Sequence, residues 1–254
     1  MKPIIFLLIV VSLTVGQTGL RKDRQLLVDF RNDHDSTPFK ISQATQRTVL
    51  SKVFRRYLTD QNQCKAGFDA SNGADPLAAA RKAGQIVPSI TAMASGSFTA
   101  AGQTQTAYVF EVSECNASHA DNFGTKRVAI FSGQQLVADV DADFMREIVR
   151  KTDLNGDGID ELLMTSGDMA QGTLIEMATL VSFENGRRSV LQEFGTVVEE
   201  SCASGFQGSN SKASVLYVPG FAPGMMPKII QDNYVASCRN TKRWKFVSTG
   251  MMQE

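Results

Sequence analysis

The sequence predicts a mainly β protein with N-terminal helices, which is an α+β fold class. Apolar residues recur at helical spacing between residues 41 and 58. After residue 89, short apolar or alternating runs are separated by Gly, Asn or Ser, as in antiparallel sheets. The chain has 254 residues, of which 43% are hydrophobic and 20% charged, so it is expected to fold rather than stay disordered.

Charge and histidine content exclude two classes of function. Lysine plus arginine and aspartate plus glutamate number 26 each, so the net charge gives no reason to expect nucleic acid as a partner. The only histidines are His34 and His119, which excludes a metal centre built from several histidines.

Residues 1–16 are predicted to be a signal peptide. Lys2 precedes an apolar run over residues 3–15, which is shorter than the roughly 20 residues that span a bilayer. We expect cleavage near Gly16, and an uncleaved signal anchor is the alternative. No later segment is apolar enough to cross a membrane, so the protein is predicted to be secreted, periplasmic or attached to the cell surface.

Residues 17–90 are predicted to form a helical N-terminal region. Residues 20–36 are polar and charged, which predicts a flexible lead-in. A helix is expected from Ser36 or Thr37 to residue 58, because its apolar residues fall on one helical face. A second helix is expected over residues 76–86, with Asp75 as the N-cap and Pro88 as the stop signal.

Residues 91–254 are predicted to form a β-rich repeat domain. Gly-containing turns at 132–133 and 184–186 are typical of β-hairpins, while residues 141–150 fit either a helix or a strand. The candidate strands are 106–112, 126–131, 135–140, 161–165, 173–183, 189–194, 213–218, 228–230 and 243–248.

The β-rich part contains an internal repeat. Residues 97–108 align with residues 153–164, so that Phe98 matches Leu154 and Gly102 matches Gly158. Farther along, residues 128–133 match residues 180–186. The spacing of about 50 residues is consistent with one four-stranded unit per repeat, and a third, degenerate copy after Cys202 is conceivable.

An oxygen-rich motif at residues 153–161 is the sharpest chemical signal in the sequence. Its glycines, Gly156 and Gly158, permit a tight turn that brings alternate side chains together. A hard cation such as Ca²⁺ binds several such oxygens, whereas Mg²⁺ demands stricter octahedral geometry. The predicted calcium ligands are the side chains of Asp153, Asn155, Asp157 and Glu161 and the main-chain carbonyl of Ile159.

Two other interpretations of this motif were weighed. An EF-hand requires a bidentate acid at position twelve, which is Met164 here, and a following helix where this sequence reads as a strand. That interpretation is rejected. The remaining alternative is an acidic turn that binds nothing, in which case the crowded carboxylates would repel one another.

Residues 152–165 resemble the FG-GAP, or integrin-α-like (VCBS-type), repeat. The resemblance implies a calcium-binding loop that precedes a β-strand on a propeller blade. In the earlier copy, the four side-chain ligands are replaced by Ser97, Thr99, Ala101 and Gln105, so that copy is not expected to bind calcium. A closed propeller has about four to eight blades, which is more than the two or three such units in this sequence. We therefore expect propeller-blade-like antiparallel repeats in an open or incomplete propeller.

The chain contains four cysteines, an even number that predicts two disulfides in an exported protein. Three pairings are possible. Cys64–Cys115 and Cys202–Cys238 are expected, because each closes a loop within one half of the chain. Four reduced thiols are the alternative.

No catalytic constellation is evident in the sequence. Ser118, His119 and Asp121 are close neighbours in the chain, which rarely produces a triad in space. Residues 205–212 lack the Lys-Ser/Thr pair of a phosphate loop. Trp244 lies among basic residues and is interpreted as a core residue rather than a binding patch.

The sequence therefore predicts an exported, non-catalytic, calcium-binding β-repeat protein with a structural or surface-binding role. The expected partners are a calcium ion and an extracellular protein or polysaccharide. The alternative is an exported hydrolase or accessory subunit with its site in the N-terminal region or the loops, where His34 or His119 would line the pocket.

Overall fold

The computed structural model describes residues 24–32, 39–53, 86–114, 126–204, 208–220 and 223–252. Within these ranges the protein is mainly β, with one α-helix, α1 (Gln43–Val53). The strands are β1 (Gln25–Asp29), β2 (Ile86–Gly96), β3 (Gln105–Glu114), β4 (Lys126–Ser132), β5 (Gln135–Asp141), β6 (Glu147–Thr152), β7 (Glu161–Ala170), β8 (Thr173–Ser182), β9 (Ser189–Glu200), β10 (Asn210–Val218), β11 (Ile230–Ser237) and β12 (Asn240–Thr249).

The strands form two antiparallel sheets. The smaller sheet has the order β2-β3-β4-β5. The larger sheet has the order β12-β11-β10-β9-β8-β7-β6 and curls into a half-barrel. Strand β1 pairs with the second half of β10, while β9 pairs with its first half. The predicted antiparallel β architecture is confirmed at this level.

The two predicted hairpin turns are confirmed, and positive φ angles explain why they carry these residues. Gly133 has φ 56° in the turn between β4 and β5. Between β8 and β9, Asn185 and Gly186 have φ angles of 57° and 71°. Gly133 lies in a two-residue turn, where a positive φ is favoured. The connection between β8 and β9 is longer, residues 183–188, and Asn185 and Gly186 lie in a single 3₁₀ turn within it; Asn and Gly tolerate a positive φ best.

Three clusters of buried side chains form the core. The first lies under the larger sheet and includes Leu180, Phe194 and Leu216. The second joins the two sheets and includes Phe98 and Phe183. The third packs α1 against the smaller sheet, and its members are Val49, Leu50, Tyr108, Phe110, Ala129 and Phe131. Within the described part of the predicted apolar face, Val49 and Leu50 are buried and Val53 packs against them.

Strand β1 corrects the prediction of a flexible lead-in at residues 20–36. Leu27, Val28 and Phe30 are buried, and the backbone of Gln25–Asp29 pairs with Val215–Val218. Local sequence is polar on both sides of this short segment, so the strand depends on its distant partner rather than on intrinsic propensity.

The first N-terminal helix begins later than predicted, and its predicted end, residues 54–58, lies outside the described residues. Helix α1 begins at Gln43 rather than near Ser36, because the Ser42 hydroxyl accepts the Thr45 N–H at 3.1 Å as an N-cap. Residues 76–85 of the predicted second helix lie outside the described residues. Ile86 is the first residue of β2, and Pro88 lies inside this strand at the edge of its sheet, where a missing N–H is tolerated.

The remaining strand predictions agree with the structure, except that the predicted strand 228–230 shares only Ile230 with β11. Each candidate strand from residue 106 onward overlaps an observed strand, and the ambiguous segment 141–150 is a turn followed by β6. Among the described residues, no helix is long and apolar enough to cross a membrane. Residues 1–16, the predicted signal peptide, lie outside the described residues.

One of the two expected disulfides lies in the described part of the chain. Cys202 and Cys238 are bonded, with an S–S distance of 2.08 Å and a Cα–Cα distance of 5.3 Å. This bond ties the segment after β9 to the turn between β11 and β12. Cys64 and Cys115 lie outside the described residues.

Candidate metal centre

Two similar loops occupy equivalent positions in the two sheets. Loop 1, residues 97–104, connects β2 to β3, and loop 2, residues 153–160, connects β6 to β7. The second residue of each loop is an apolar anchor, Phe98 in loop 1 and Leu154 in loop 2. These anchors are 0% and 4% exposed, so each loop is held at its start by a core side chain.

The backbone of loop 2 is wrapped around the carboxylate of Asp153. Its Oδ1 accepts the N–H groups of Gly156 and Asp157 at 2.7 and 3.2 Å, and its Oδ2 accepts the Gly158 N–H at 2.9 Å. Gly156 and Gly158 have φ angles of 74° and 84°, which glycine adopts without strain. The two glycines are therefore what lets three successive amides point to one side chain.

The next two polar side chains of loop 2 are also held by the loop itself. Asn155 Oδ1 accepts the Asp157 N–H at 3.0 Å, and Asn155 Nδ2 donates to Asp157 Oδ2 at 2.8 Å. Asp157 Oδ1 accepts the Ile159 N–H at 2.7 Å. Ile159 buries its side chain in the core. Asp153, Asn155 and Asp157 thus lie along one tight turn, where their side-chain oxygens accept hydrogen bonds from backbone amides.

Glu161 closes loop 2 from the first position of β7. Its side chain is 2% exposed, and its Oε2 accepts the Leu154 N–H at 2.9 Å. Burial raises the pKa of this carboxyl to about 7, and the nearby carboxylates of Asp157 and Asp153 add to the rise. Within the described part of the chain, no lysine, arginine or histidine forms an ion pair with Glu161.

Gln105 performs the same closing role in loop 1 without a charge. It is 3% exposed, and its Oε1 accepts the N–H groups of Phe98 and Thr99 at 2.8 and 2.9 Å. Its Nε2 donates to Thr99 Oγ1 at 2.5 Å. The sequence alignment that placed Gln105 opposite Glu161 therefore corresponds to a common three-dimensional arrangement.

The two loops contact each other through Asp160, which the sequence analysis did not single out. Asp160 Oδ2 accepts the Ser97 N–H at 2.8 Å, and the Asp160 N–H donates to the Ser97 carbonyl at 2.6 Å. Lys151 Nζ lies 3.3 Å from Asp160 Oδ1. The sequence held one indication of this role: Asp160 directly precedes Glu161, and neighbouring side chains in extended backbone point in opposite directions.

The donor set of loop 2 is oxygen-rich and acidic, as Ca²⁺ requires. Among the described residues, no group of three or more His, Cys, Asp or Glu side chains is arranged so that it could hold a metal ion. The carboxylates of Asp153, Asp157 and Glu161 are nevertheless close enough to raise the pKa of Glu161. A cation would relieve the repulsion that a fully ionised trio produces.

The other sequence candidates give no competing site. Ser118, His119, Asp121 and His34 lie outside the described residues, as do residues 205–207 of the glycine-rich segment. Trp244 is half-buried: one part of it packs against the core cluster under the larger sheet, and it also lines a pocket.

Comparisons with known proteins identify no family for this chain. No family model matches it, and no curated protein matches it. A crystal structure of the exotype rhamnogalacturonan lyase YesX is 15% identical with a TM-score of 0.30, over 65% of this chain and 33% of that one. A structure of rhamnogalacturonan lyase YesW is 13% identical with a TM-score of 0.30, over 65% and 34%. The chain spans about a third of these structures, and similarity this low identifies neither fold nor activity.

Proposed function

We propose that the protein is an exported, non-catalytic, calcium-binding β-repeat protein with a structural or surface-binding role. Loop 2 would hold the ion through the five ligand residues named from the sequence: Asp153, Asn155, Asp157, Ile159 and Glu161. Bound calcium supplies two positive charges against three carboxylates in a short stretch of chain.

The contrast between Glu161 and Gln105 carries this proposal. Gln105 holds loop 1 with a neutral amide that accepts the same anchoring N–H that Glu161 accepts in loop 2. A carboxylate is therefore not needed to form the loop. A carboxylate buried beside Asp153 and Asp157 is destabilised in its charged form. A bound cation would offset this cost, so the presence of Glu161 rather than Gln at this position supports a role as a cation ligand.

Calcium binding requires the loop oxygens to change partners. Asp153, Asn155 and Asp157 now accept backbone amides, and some of these oxygens would turn towards the ion. Such an exchange fits the weak affinities of extracellular calcium modules, with Kd values of about 10⁻⁴–10⁻³ M. At millimolar calcium, ligand linkage then adds on the order of 1 kcal/mol to the free energy of unfolding.

The arrangement of the strands supports a propeller-like organisation. Each loop follows the first of four consecutive antiparallel strands: β2–β5, which form the smaller sheet, and β6–β9, which are the first four strands of the larger sheet. The first strands β2 and β6 contact each other, and β1 contacts β6. We propose that these groups are blades of an open or incomplete propeller, with β1 and β10–β12 as a third group. The Cys202–Cys238 disulfide supports folding in an oxidising compartment.

A thermal melt of the mature protein tests the calcium site. We expect 5 mM calcium to raise the Tm by about 3 °C relative to chelator, because about 1 kcal/mol shifts a domain of this size by that amount. Asp157→Ala removes this response. Glu193→Gln, which removes an exposed carboxylate on β9 outside both loops, keeps it. Identical melts in calcium and in chelator would contradict the proposal.

A further inference from the structure

We propose that a cavity inside the half-barrel, the Trp244 pocket, binds an organic cation such as an alkylammonium or guanidinium group. The pocket has a volume of about 930 Å³ and touches β6 and β12, which are the two ends of the larger sheet. A cavity that contacts both ends lies inside the curl of the sheet. It does not involve loop 2, so this proposal is independent of the calcium site.

Strand register places a small set of side chains in the Trp244 pocket. Glu200 of β9 is directly opposite Ser211 of β10, and Val198 is opposite Ala213. Directly opposite residues of antiparallel strands point to the same face, and all four line the pocket. Glu199 points to the other face, where its Oε2 lies 2.9 Å from Lys212 Nζ.

The Ser211 hydroxyl faces the pocket and has no hydrogen-bond partner among the described residues. Ser211 is only 6% exposed, and its side chain makes no hydrogen bond to any other residue that the structure describes. Its oxygen is not among the fully buried unpaired side-chain atoms of the described residues, so water from the pocket reaches it. Because Ser211 lines the pocket, its oxygen is available to accept a hydrogen bond from an N–H of a bound ligand.

The charge of the pocket favours a cation. Glu147 and Glu200 line it and form no ion pair with any described residue. Glu176 also lines it but already has an interaction partner, so it is not counted. Arg31 is neutralised by Asp29, since its Nη2 lies 2.7 Å from Asp29 Oδ2.

Among the lining residues that the structure describes, Lys242 is then the one cation that opposes the carboxylates of Glu147 and Glu200. The half-buried indole of Trp244 supplies an aromatic face, which attracts cations through its negative π surface. The same face of the molecule already shows this interaction, because the Arg31 guanidinium lies 4.4 Å from the centre of the Tyr234 ring. An anionic ligand would gain nothing comparable from this set of groups.

Tryptophan fluorescence tests the proposal directly, because Trp244 is the only tryptophan of the chain. We would titrate the mature protein with spermidine, N-acetyl-lysine amide and N-acetyl-arginine amide, and use N-acetyl-norleucine amide as the neutral counterpart. A saturable change with the cations that weakens as salt rises from about 50 to about 300 mM supports the proposal. Tighter binding of spermidine indicates a free polyamine, and tighter binding of the amino acid amides indicates a peptide side chain.

Matched variants locate the binding in the pocket. Glu200→Gln weakens cation binding about tenfold by removing a charge-assisted contact, whereas Glu199→Gln leaves it unchanged. Lys242→Ala tightens binding, because it removes the opposing charge. Circular dichroism and the melting curve confirm that each variant folds. The proposal is overturned if no cation gives a saturable response, if the norleucine amide or a neutral saccharide binds equally well, or if Glu199→Gln weakens binding as much as Glu200→Gln.

Discussion

Loop 1 and loop 2 share a buried apolar anchor, a positive-φ glycine (Gly102 or Gly158) and the same closing hydrogen bond, yet only loop 2 is acidic. Gln105 and Glu161 both accept the N–H of the apolar anchor from the first turn of their loop. The difference shows that the framework of the loop and its charge are separate properties. The framework stabilises the fold in both copies, and the charge of loop 2 creates a need for a cation or a proton.

Truncation of the two anchors is expected to have the largest effect on stability. Phe98→Ala and Leu154→Ala each remove a side chain that is at most 4% exposed. The expected losses in the free energy of unfolding are about 4 and about 3 kcal/mol, since each leaves a cavity. Urea denaturation measures both. A loss below about 1 kcal/mol for either residue would show that the loops are not equivalent in the core.

The pH dependence of stability separates the charge of loop 2 from its framework. The pKa of Glu161 is about 7 in the folded protein against an ordinary value of 4.5. Folding therefore favours the protonated carboxyl, and its stabilisation is present below pH 4.5 and is lost as the pH rises to about 7. In chelator we expect a loss of about 3 kcal/mol over this window.

Glu161→Gln is the control for that titration. The variant places in loop 2 the residue type that loop 1 has at the same position, so most of the pH-dependent loss should disappear. Calcium should also flatten the wild-type profile, because the ion favours the charged carboxylate. An unchanged slope in the variant would show that other groups titrate in this range.

Replacing the closing residue of loop 1, Gln105, by a carboxylic acid tests the converse case. Gln105→Glu buries a carboxyl that loses the contact of Gln105 Nε2 with Thr99 Oγ1. We expect a loss of about 2 kcal/mol at neutral pH, since a buried polar group loses a partner. Calcium should not restore this loss, because Ser97, Thr99 and Ala101 carry no carboxylate. Differential scanning calorimetry with calcium and with chelator measures both effects.

The glycine pair is expected to show the smallest difference. Gly102 and Gly158 have φ angles of 70° and 84°, so alanine at either position costs about 1 kcal/mol. A Cβ at Gly102 would meet no atom within 4 Å, whereas one at Gly158 would lie 3.1 Å from the Ala101 Cβ. We expect Gly158→Ala to be the more destabilising variant in thermal melts. The reverse order would indicate that the loops do not touch there.

Local patterns predicted the strands that lie between recognisable turns, but not those held by distant partners. The Asn185-Gly186 turn and the run into β8 are visible in the sequence, because turn chemistry and burial agree there. Strand β1 is short and flanked by charged residues, and β2 contains Pro88 and several small residues. Strand β1 depends on pairing with β10, which no local window contains. The partner of β2 is the neighbouring strand β3, so for β2 the proline and small residues weakened the local strand pattern itself.

The candidate site was predicted in its residues but not in its hydrogen bonds. Alternation of oxygen side chains and glycines identified residues 153–161, and the structure places them in one turn. The role of Asp160 in joining the loops depends on how the two sheets pack. Likewise, the lining of the Trp244 pocket comes from strands far apart in the chain, so periodicity alone could not assemble it.

The pairing of β1 with β10 sets the order in which the chain can complete its fold. Residue 25 is paired with residue 218, so the partner of the first strand is synthesised long after the strand itself. Until residues 210–218 emerge, the buried residues Leu27 and Val28 have no β10 to pair with. Contacts between residues this far apart in sequence form slowly, and the unpaired segment exposes apolar surface until they form. A chain that is exported before it folds would complete this pairing only after β10 has crossed the membrane.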